Sequence, residues 1–415
     1  MDSSSTCECV QHIRPNISAL EIFKTERSGV EISVNSILAD LNENGFGPSI
    51  SVEGWSQLWK DGQTATTSSI PSLEEARRAF CRYPNVEQID LKQAFCKFRG
   101  CGITASNVCV SSGLDEVIDL LVRSLCRPGR DRIAICPPVY HMYQTSALIN
   151  DITTVAIPLQ AQHRFQLQLS KLQETLSSDS AIRLCFICSP GNPTGYTIPV
   201  EDITAILENT TWRGILVVDE AYIDFAPEKS SCLYLLKRHP RLVVLQTLSK
   251  AFGLAGIRVA FGVACSHLCQ ILNNVRKPYA VSGPSIACAA AALTPASLLT
   301  LKSQLLSLRS ERSRLAQELE HTRGVAAIRS GIDANFVLFE VYDPRSPSGG
   351  PCNTVAHWLC ESLKESYSIF VRYKGDEPGC KGCIRVTVSN EADNQRVLRE
   401  IRRLLNQLHG SRRSE

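Results

Sequence analysis

A chain of 415 residues with 44% hydrophobic side chains is long enough to bury a sizeable core and to divide into two domains. Its formal net charge of +3 gives no bulk attraction to nucleic acid or to an anionic membrane surface. Residues 1–30 carry no basic-then-apolar leader pattern, and no apolar run approaches the roughly 18–20 residues of a membrane span, so the expectation is a cytoplasmic protein with neither membrane nor nucleic acid as partner.

In chain order, residues 1–50 read as an arm, polar and irregular before the dense turn Asn42-Glu43-Asn44-Gly45-Phe46-Gly47-Pro48. Residues 54–72, with Gly, Thr and Ser interleaved, read as a long loop before a helix near Leu73–Cys81. Short apolar runs then recur at Val108–Val110, Ile133–Cys136, Thr153–Ile157, Leu184–Cys188, Ile215–Val218 and Leu242–Leu245. Helical stretches lie between most of them, such as Asp115–Cys126 with Val117, Ile118, Leu121, Val122 and Leu125 on one face. This alternation predicts an α/β domain over 51–294, a mostly parallel sheet with helices on both faces. Beyond residue 294 the texture changes to a long amphipathic helix (Leu301, Leu305, Leu308, Leu315, Leu319), strands at Asn335–Val341 and Ile384–Val388, and a closing helix (Val397, Ile401, Leu404, Leu405, Leu408). A Pro-, Gly- and Ser-rich loop at Asp343–Pro351 interrupts them, and 295–415 is expected to form a smaller α+β domain joined by the arm.

Eighteen cysteines in a chain of this length read as free thiols, many of them small hydrophobes in strands (Cys109, Cys136, Cys185, Cys188). Cys380-Lys381-Gly382-Cys383 is a lone C-x-x-C without a second pair at zinc spacing, and no metal is expected.

Ligands of open α/β sheets lie beyond the carboxyl ends of the strands, and polar residues of this chain cluster at such ends. Val110-Ser111-Ser112-Gly113-Leu114-Asp115-Glu116 passes from strand to helix through a glycine. The N–H groups around Gly113, Leu114 and Asp115 would hold a phosphate, and an ordinary helix cap by Ser112 is the plain alternative. Ser189-Pro190-Gly191-Asn192-Pro193-Thr194-Gly195 fixes Asn192 between two prolines, as a rigid loop aiming one amide or as a simple turn. Val217-Val218-Asp219-Glu220-Ala221-Tyr222 ends a buried strand on acids, where a carboxylate needs a cation. A protonated pyridine nitrogen would serve, and a magnesium ion or a nucleoside competes for the same reading. Thr247-Leu248-Ser249-Lys250 then follows an apolar run, with Arg258 eight positions beyond the lysine. Hydroxyls and a guanidinium there suit a phosphate.

Together these pieces would form one chemical constellation around a flat, phosphorylated pyridine ring. Asp219 would keep the ring protonated, Asn192 and Tyr222 would bond its phenolic oxygen, and Lys250 would form the Schiff base. Ser112, Ser249, Arg258 and the helix beginning at Leu114 would hold the phosphate. Partial desolvation and neighbouring positive charge would lower the lysine pKa and make it a usable base.

Thr247 to Gly256 is similar to the cofactor-lysine signature of class-II pyridoxal-phosphate aminotransferases. From Arg14-Pro15-Asn16-Ile17 to about Asn394 the chain resembles the histidinol-phosphate aminotransferase family, its fungal branch in particular. Asn42-Glu43-Asn44, Arg82-Tyr83-Pro84, Cys136-Pro137-Pro138-Val139-Tyr140, Cys188 to Gly195, Val217 to Phe225, Ala334-Asn335-Phe336 and Gly382 to Val388 also carry the resemblance. It implies fold-type I and a homodimer with active sites shared at the subunit interface. It also implies an amino donor and a 2-oxo acid as small-molecule partners, with a pyridoxal phosphate cofactor. Tyr83 matches the tyrosine that reaches the neighbouring subunit's cofactor phosphate, and Tyr140 the one stacked on the pyridine ring. Arg372 and Arg385 match the arginines that receive the substrate's anionic group, and Phe23, Asn44, Asn192 and Tyr279 fall at other substrate positions.

The cofactor positions follow the family more closely than the substrate positions do. Leu20-Glu21-Ile22-Phe23 stands where the family has Leu-Glu-Pro-Tyr, and Tyr140-His141-Met142-Tyr143 where it has Tyr-Gly-Met-Tyr. Lys277 and Ala280 flank Pro278-Tyr279 in place of Ala and Asn, and Thr387-Val388-Ser389-Asn390 replaces Thr-Val-Gly-Thr. His141 reads as a packing or surface change rather than a catalytic acid. The resemblance implies an aminotransferase moving an amino group between histidinol phosphate or a related amino acid and 2-oxoglutarate through a Lys250 Schiff base; the changes together suggest, as the alternative, a paralogue with another amino donor, carrying out transamination, decarboxylation or elimination. A non-catalytic scaffold need not keep Lys250, Asp219, Tyr222, Asn192 and Arg258 together, and a nucleotide-binding protein lacks support from any G-x-x-x-x-G-K-[ST] run.

Overall fold

The computed structural model describes residues 13–20, 24–57, 81–343 and 349–410. Phe23, most of the expected helix near Leu73–Cys81 and the middle of the Asp343–Pro351 loop lie outside them. The start of the stretch read as a long loop is instead helical, because Val52–Gln57 forms a short helix.

The arm contributes β1 (Ile37–Leu38). The chain then lays down β2 (Val108–Ser111), β3 (Arg132–Ile135), β4 (Thr153–Ala156), β5 (Ile182–Cys188), β6 (Ile215–Asp219), β7 (Leu242–Thr247) and β8 (Ala260–Val263). These make one sheet in the order β2-β8-β7-β6-β5-β3-β4, parallel except for β8, which runs antiparallel to both β7 and β2. The central strands are covered on both faces, which is why they read as unbroken apolar runs. Alternate residues feed opposite layers: Leu184, Phe186, Val217, Val243 and Leu245 join one apolar cluster, and Cys185, Ile187, Leu216, Val218, Leu242 and Val244 the other. The helix Leu114–Leu125 packs in the first layer through Val117, Ile118, Leu120 and Leu121, with Asp115 and Glu116 in its first turn complementing the helix dipole.

A second sheet follows from β9 (Val325–Ile328), β10 (Phe336–Val341), β11 (Ile369–Phe370), β12 (Arg372–Tyr373) and β13 (Cys383–Thr387). Four of these pair antiparallel in the order β12-β13-β10-β9, while β11 pairs in parallel with β1 and so ties the arm to this sheet. The helices Pro295–Glu320 and Glu391–Gly410 carry the apolar faces expected from their leucines, and Asn353–Tyr367 adds a further helix that buries Val355, Ala356, Leu359, Cys360 and Leu363. Cys380 and Cys383 are buried free thiols, and no metal-holding cluster occurs among the described residues. No single described helix is long and apolar enough to cross a membrane; the pair Gly283–Ala292 and Pro295–Glu320, bent by 73°, passes only jointly.

The arm also packs on the turn that follows β7. The Ser49 N–H donates to the Phe252 carbonyl at 3.0 Å, and Gly253 sits at φ +65° with the Gly47 carbonyl where its Cβ would be, 2.2 Å away. Both the positive φ and the backbone contact demand glycine. Gly253→Ala should therefore cost about 2–4 kcal/mol of stability, read as a lower urea midpoint at unchanged slope.

Candidate active site

Beyond the carboxyl ends of β5, β6 and β7 lies a cavity of about 410 Å³, closed on its far side by the arm and by β12 and β13. Strand β6 delivers Asp219 to it at 2% exposure. Its Oδ1 accepts from the Ala221 N–H at 3.0 Å and its Oδ2 from the Tyr143 hydroxyl at 2.6 Å. Tyr143 is itself fully buried, stacked on Phe186 with centroids 4.7 Å apart. No described cation pairs with Asp219, and burial pushes its carboxyl up to about 6.

Lys250 stands opposite, in the turn after β7. Its Nζ donates to the Leu41 carbonyl at 2.9 Å. Burial first, and the Arg385 charge next, lower its pKa to about 8. Thr247 accepts from the Ser249 N–H at 3.1 Å and donates to the Val259 carbonyl at 3.0 Å, which fixes the turn. At the cavity's other end the helix Leu114–Leu125 begins behind Gly113, at φ +88° with no side-chain cap. A Cβ at Gly113 would lie 2.2 Å from Nη2 of Arg258, so the missing side chain lets that guanidinium lie over the helix start. Arg258 also approaches Asp115 at 3.5 Å, and Asp115 accepts from the Tyr140 hydroxyl at 2.9 Å.

Tyr222 is buried and accepts from Nδ2 of Asn42 at 2.8 Å, which leaves its own proton to donate into the cavity. Asn42 in turn donates its backbone N–H to Thr387 at 3.0 Å and accepts from that hydroxyl at 3.1 Å, joining the arm to both sheets. Arg385 is buried, donates to Oδ1 of Asn192 at 2.5 Å and to the Asp40 carbonyl, and faces the Phe336 ring at 5.4 Å. It has no carboxylate partner among the described residues, and burial lowers its pKa. Arg372, 3.3 Å from Glu26, and Lys374, paired with Glu377, line the same wall.

The cavity therefore gathers Leu114, Asp115, Tyr140, Asn192, Asp219, Tyr222, Thr247, Ser249, Lys250, Arg258, Arg372 and Arg385. Asn44 departs from expectation: its amide donates to the Ala251 carbonyl at 2.8 Å and supports the lysine turn from behind. Ser112 does not line the cavity, and its N–H is taken by Glu116 at 2.5 Å. Tyr83 and Tyr279 stack on each other at 4.4 Å on the surface, 81% and 43% exposed. Asn42, Glu43, His141, Tyr143 and Lys374 were given no site role by sequence reasoning. Tyr143 lies in the helix Met142–Ile149, whereas Tyr140 precedes it, so helical spacing gave no signal for the pair.

The arrangement fits a flat, phosphorylated cofactor with a basic ring nitrogen. Asp219 is a buried carboxylate awaiting a cation, Lys250 an amine outside any ion pair, and Gly113 with Arg258 forms a cradle for an anion at a helix start.

The profile of the family described as Aminotransferase class I and II matches residues 58–401. The chain is 39% identical over 403 residues to the histidinol-phosphate aminotransferase of Schizosaccharomyces pombe, covering 96% of this chain and 97% of that protein. To the Saccharomyces cerevisiae enzyme of that name it is 34% identical over 410 residues, covering 95% and 97%. The solved histidinol-phosphate aminotransferase of Sinorhizobium meliloti, in complex with pyridoxal-5'-phosphate, matches with TM-score 0.81 at 22% identity, covering 98% of this chain and 100% of that one. A Thermus thermophilus aspartate aminotransferase double mutant matches at 0.70 and 18%, covering 93% and 100%. Both share the α/β fold described above, that of fold-type I.

Because the Asp219 carboxyl sits near 6 rather than 3.8, the folded cofactor-free protein keeps a proton that the unfolded chain releases between those values. Its contribution is intact below about pH 4 and is lost as pH rises through 6, about 3 kcal/mol in all. Glu220, raised to about 7 by burial, acts with the same sign. Asp219→Asn should remove the first component, raising cofactor-free stability at pH 7 with little change at pH 4; urea unfolding at the two pH values checks it.

Proposed function

The chain belongs to the class I and II aminotransferases, on the histidinol-phosphate aminotransferase branch, and from that membership we propose that it moves an amino group from histidinol phosphate to 2-oxoglutarate. The observation that carries the choice of donor is the wall of three cations, Arg372, Lys374 and Arg385, facing the lysine across the cavity. A phosphate dianion, and equally the two carboxylates of 2-oxoglutarate, suits such a wall.

When bound, pyridoxal 5'-phosphate supplies an aldehyde carbon that takes up amines and a protonated ring that accepts electrons from the donor's Cα. Asp219, held by Tyr143 and Ala221, keeps the ring nitrogen charged. Tyr222, turned by Asn42, and Asn192 bond its phenolic oxygen. Gly113, Leu114, Asp115, Thr247, Ser249 and Arg258 surround its phosphate. Nζ of Lys250 takes the proton from the donor's Cα, and a pKa of about 8 leaves a useful fraction as free amine near neutral pH. Arg385, anchored through Asn192 and the Asp40 carbonyl, orients the donor's anionic end.

The exposed Tyr83–Tyr279 pair supports a homodimer in which each copy contributes Tyr83 to its neighbour's site. We take 51–294 as the cofactor-binding domain, 295–415 as the smaller domain, 1–50 as the arm, and the cytoplasm as the compartment. One observation favours a second reading, a different amino donor. His141 lines the cavity, and burial with the Lys374 and Arg372 charges lowers its pKa, which keeps its imidazole neutral.

Mixing the holoenzyme with histidinol phosphate should convert the visible cofactor band to that of its amino form within a single half-turnover. Lys250→Ala should abolish the conversion, and Arg385→Lys should lower kcat/KM about 100-fold, or about 2.7 kcal/mol. Conversion with another amino acid and not with histidinol phosphate would select the second reading.

A further inference from the structure

Arg372 and Arg385 stand directly opposite each other in the antiparallel pairing of β12 with β13. Both side chains therefore leave the small sheet on one face, and both line the catalytic cavity. Like charges placed opposite across a strand pair repel, so this pair calls for anions. Arg385 bonds none among the described residues, since it donates to Oδ1 of Asn192 and to the Asp40 carbonyl. Arg372 does meet one: its Nη1 lies 3.3 Å from Oε1 of Glu26, which the arm supplies.

Glu26 does not itself line the cavity, so its influence there passes through Arg372. Both side chains are largely buried, at 22% and 24% exposure, which limits screening of their charges by salt. Of the charges around the Glu26 carboxyl (Arg372, Asp40, Glu361 and Lys364), that of Arg372 acts most strongly, and it favours the ionised form. The third cation of the wall, Lys374, is already bridged by Glu377. Two of the three cations thus carry a carboxylate of their own, and among the described residues Arg385 alone is left without one.

We propose that Glu26 is a specificity-determining residue: as the built-in counter-ion of Arg372 it lowers the charge of the wall and narrows its preference for doubly charged donor ends, such as a phosphate, over singly charged ones, such as a carboxylate. The proposal rests on the reading above that this wall receives the donor's anionic end. A fixed negative charge opposes a dianion with twice the energy with which it opposes a monoanion in the same place. What Glu26 takes from the wall it therefore takes twice over from a phosphate. Arg372 remains available to either class of donor, but at a charge that the arm sets.

Calorimetric titration of the holoenzyme, whose cofactor-phosphate site is filled, with methyl phosphate and with methyl sulfate tests the assignment. The two probes share a tetrahedral shape, and at about pH 8 the first is a dianion and the second a monoanion. At constant ionic strength held by chloride, Glu26→Gln should tighten methyl phosphate ~10-fold and methyl sulfate only ~3-fold. Glu26→Asp, which keeps the charge, should stay near the wild-type ratio of the two affinities. A merely structural role, in which the substitution loosens the arm, would shift both anions by one factor. Equal factors for the two anions, unchanged affinities, or the same response in Glu26→Asp would overturn the proposal. Neither probe is an amino donor, so these outcomes do not depend on whether histidinol phosphate is the donor. Failure of both probes to bind, or binding that Arg385→Gln leaves unchanged, would show that the wall is not the anion seat and would remove that reading together with the proposal.

Discussion

Asp219 is a carboxylate that the fold buries completely and leaves without a cation of its own. Removing such a group from water is among the most expensive things a protein interior does, and only geometry that cannot relax keeps it ionisable. The large sheet supplies that geometry. Asp219 ends β6, which is flanked by β5 and β7 in parallel register, so the carboxylate cannot swing toward solvent. Tyr143, clamped against Phe186, offers one hydroxyl at 2.6 Å and nothing more. The site thus holds a buried carboxylate without a cation, and the apolar layers on both faces of the sheet keep it in place.

The other half of the cavity depends on a segment with little regular structure. The arm reaches the two sheets through Asn42, which bonds Tyr222 on one side and Thr387 on the other. Two residues earlier, Asp40 is buried against Arg27 at 2.6 Å while its carbonyl receives Arg385. One residue earlier, the Leu41 carbonyl holds Nζ of Lys250. Three successive positions of the arm therefore fix a cavity-lining arginine, the lysine and the tyrosine. The Gly47–Gly253 contact explains how this strand of irregular backbone is kept in register with the lysine turn.

How much of this was readable beforehand follows from which forces leave a trace in sequence. Strands buried on both faces must be apolar throughout, and the six parallel strands were placed to within a few residues. Groups at strand ends whose chemistry is unusual in a turn, Asp219, Asn192 and Lys250, stood out for the same reason. Strand β8 did not, because Ala260-Phe261-Gly262-Val263 has neither length nor alternation; its Gly262 is small because Val117 of the packing helix would lie 2.8 Å from a Cβ. Asn42 and Asn44 are indistinguishable as letters in a turn, and only the positive φ of Asn42 and its packing decide which one faces Tyr222. Lys374 reaches the cavity through pairing of β12 with β13, a long-range register that no local pattern encodes.

The wall of cations and the lysine are also electrically coupled. After burial, the largest influence depressing the Lys250 pKa is the positive charge of Arg385. That arginine is unpaired among the described carboxylates, and its field at the amine is opposed by the more distant charges of Glu43 and Asp115 rather than by an ion pair of its own. An anion seated on Arg385 cancels much of that field, and the lysine pKa then rises toward its ordinary value. With an anion on Arg385 the amine would be a stronger base, and without one it is weaker and less protonated. The anchoring of Arg385 on Asn192 and the Asp40 carbonyl, rather than on a carboxylate, is what leaves its charge free to act across the cavity.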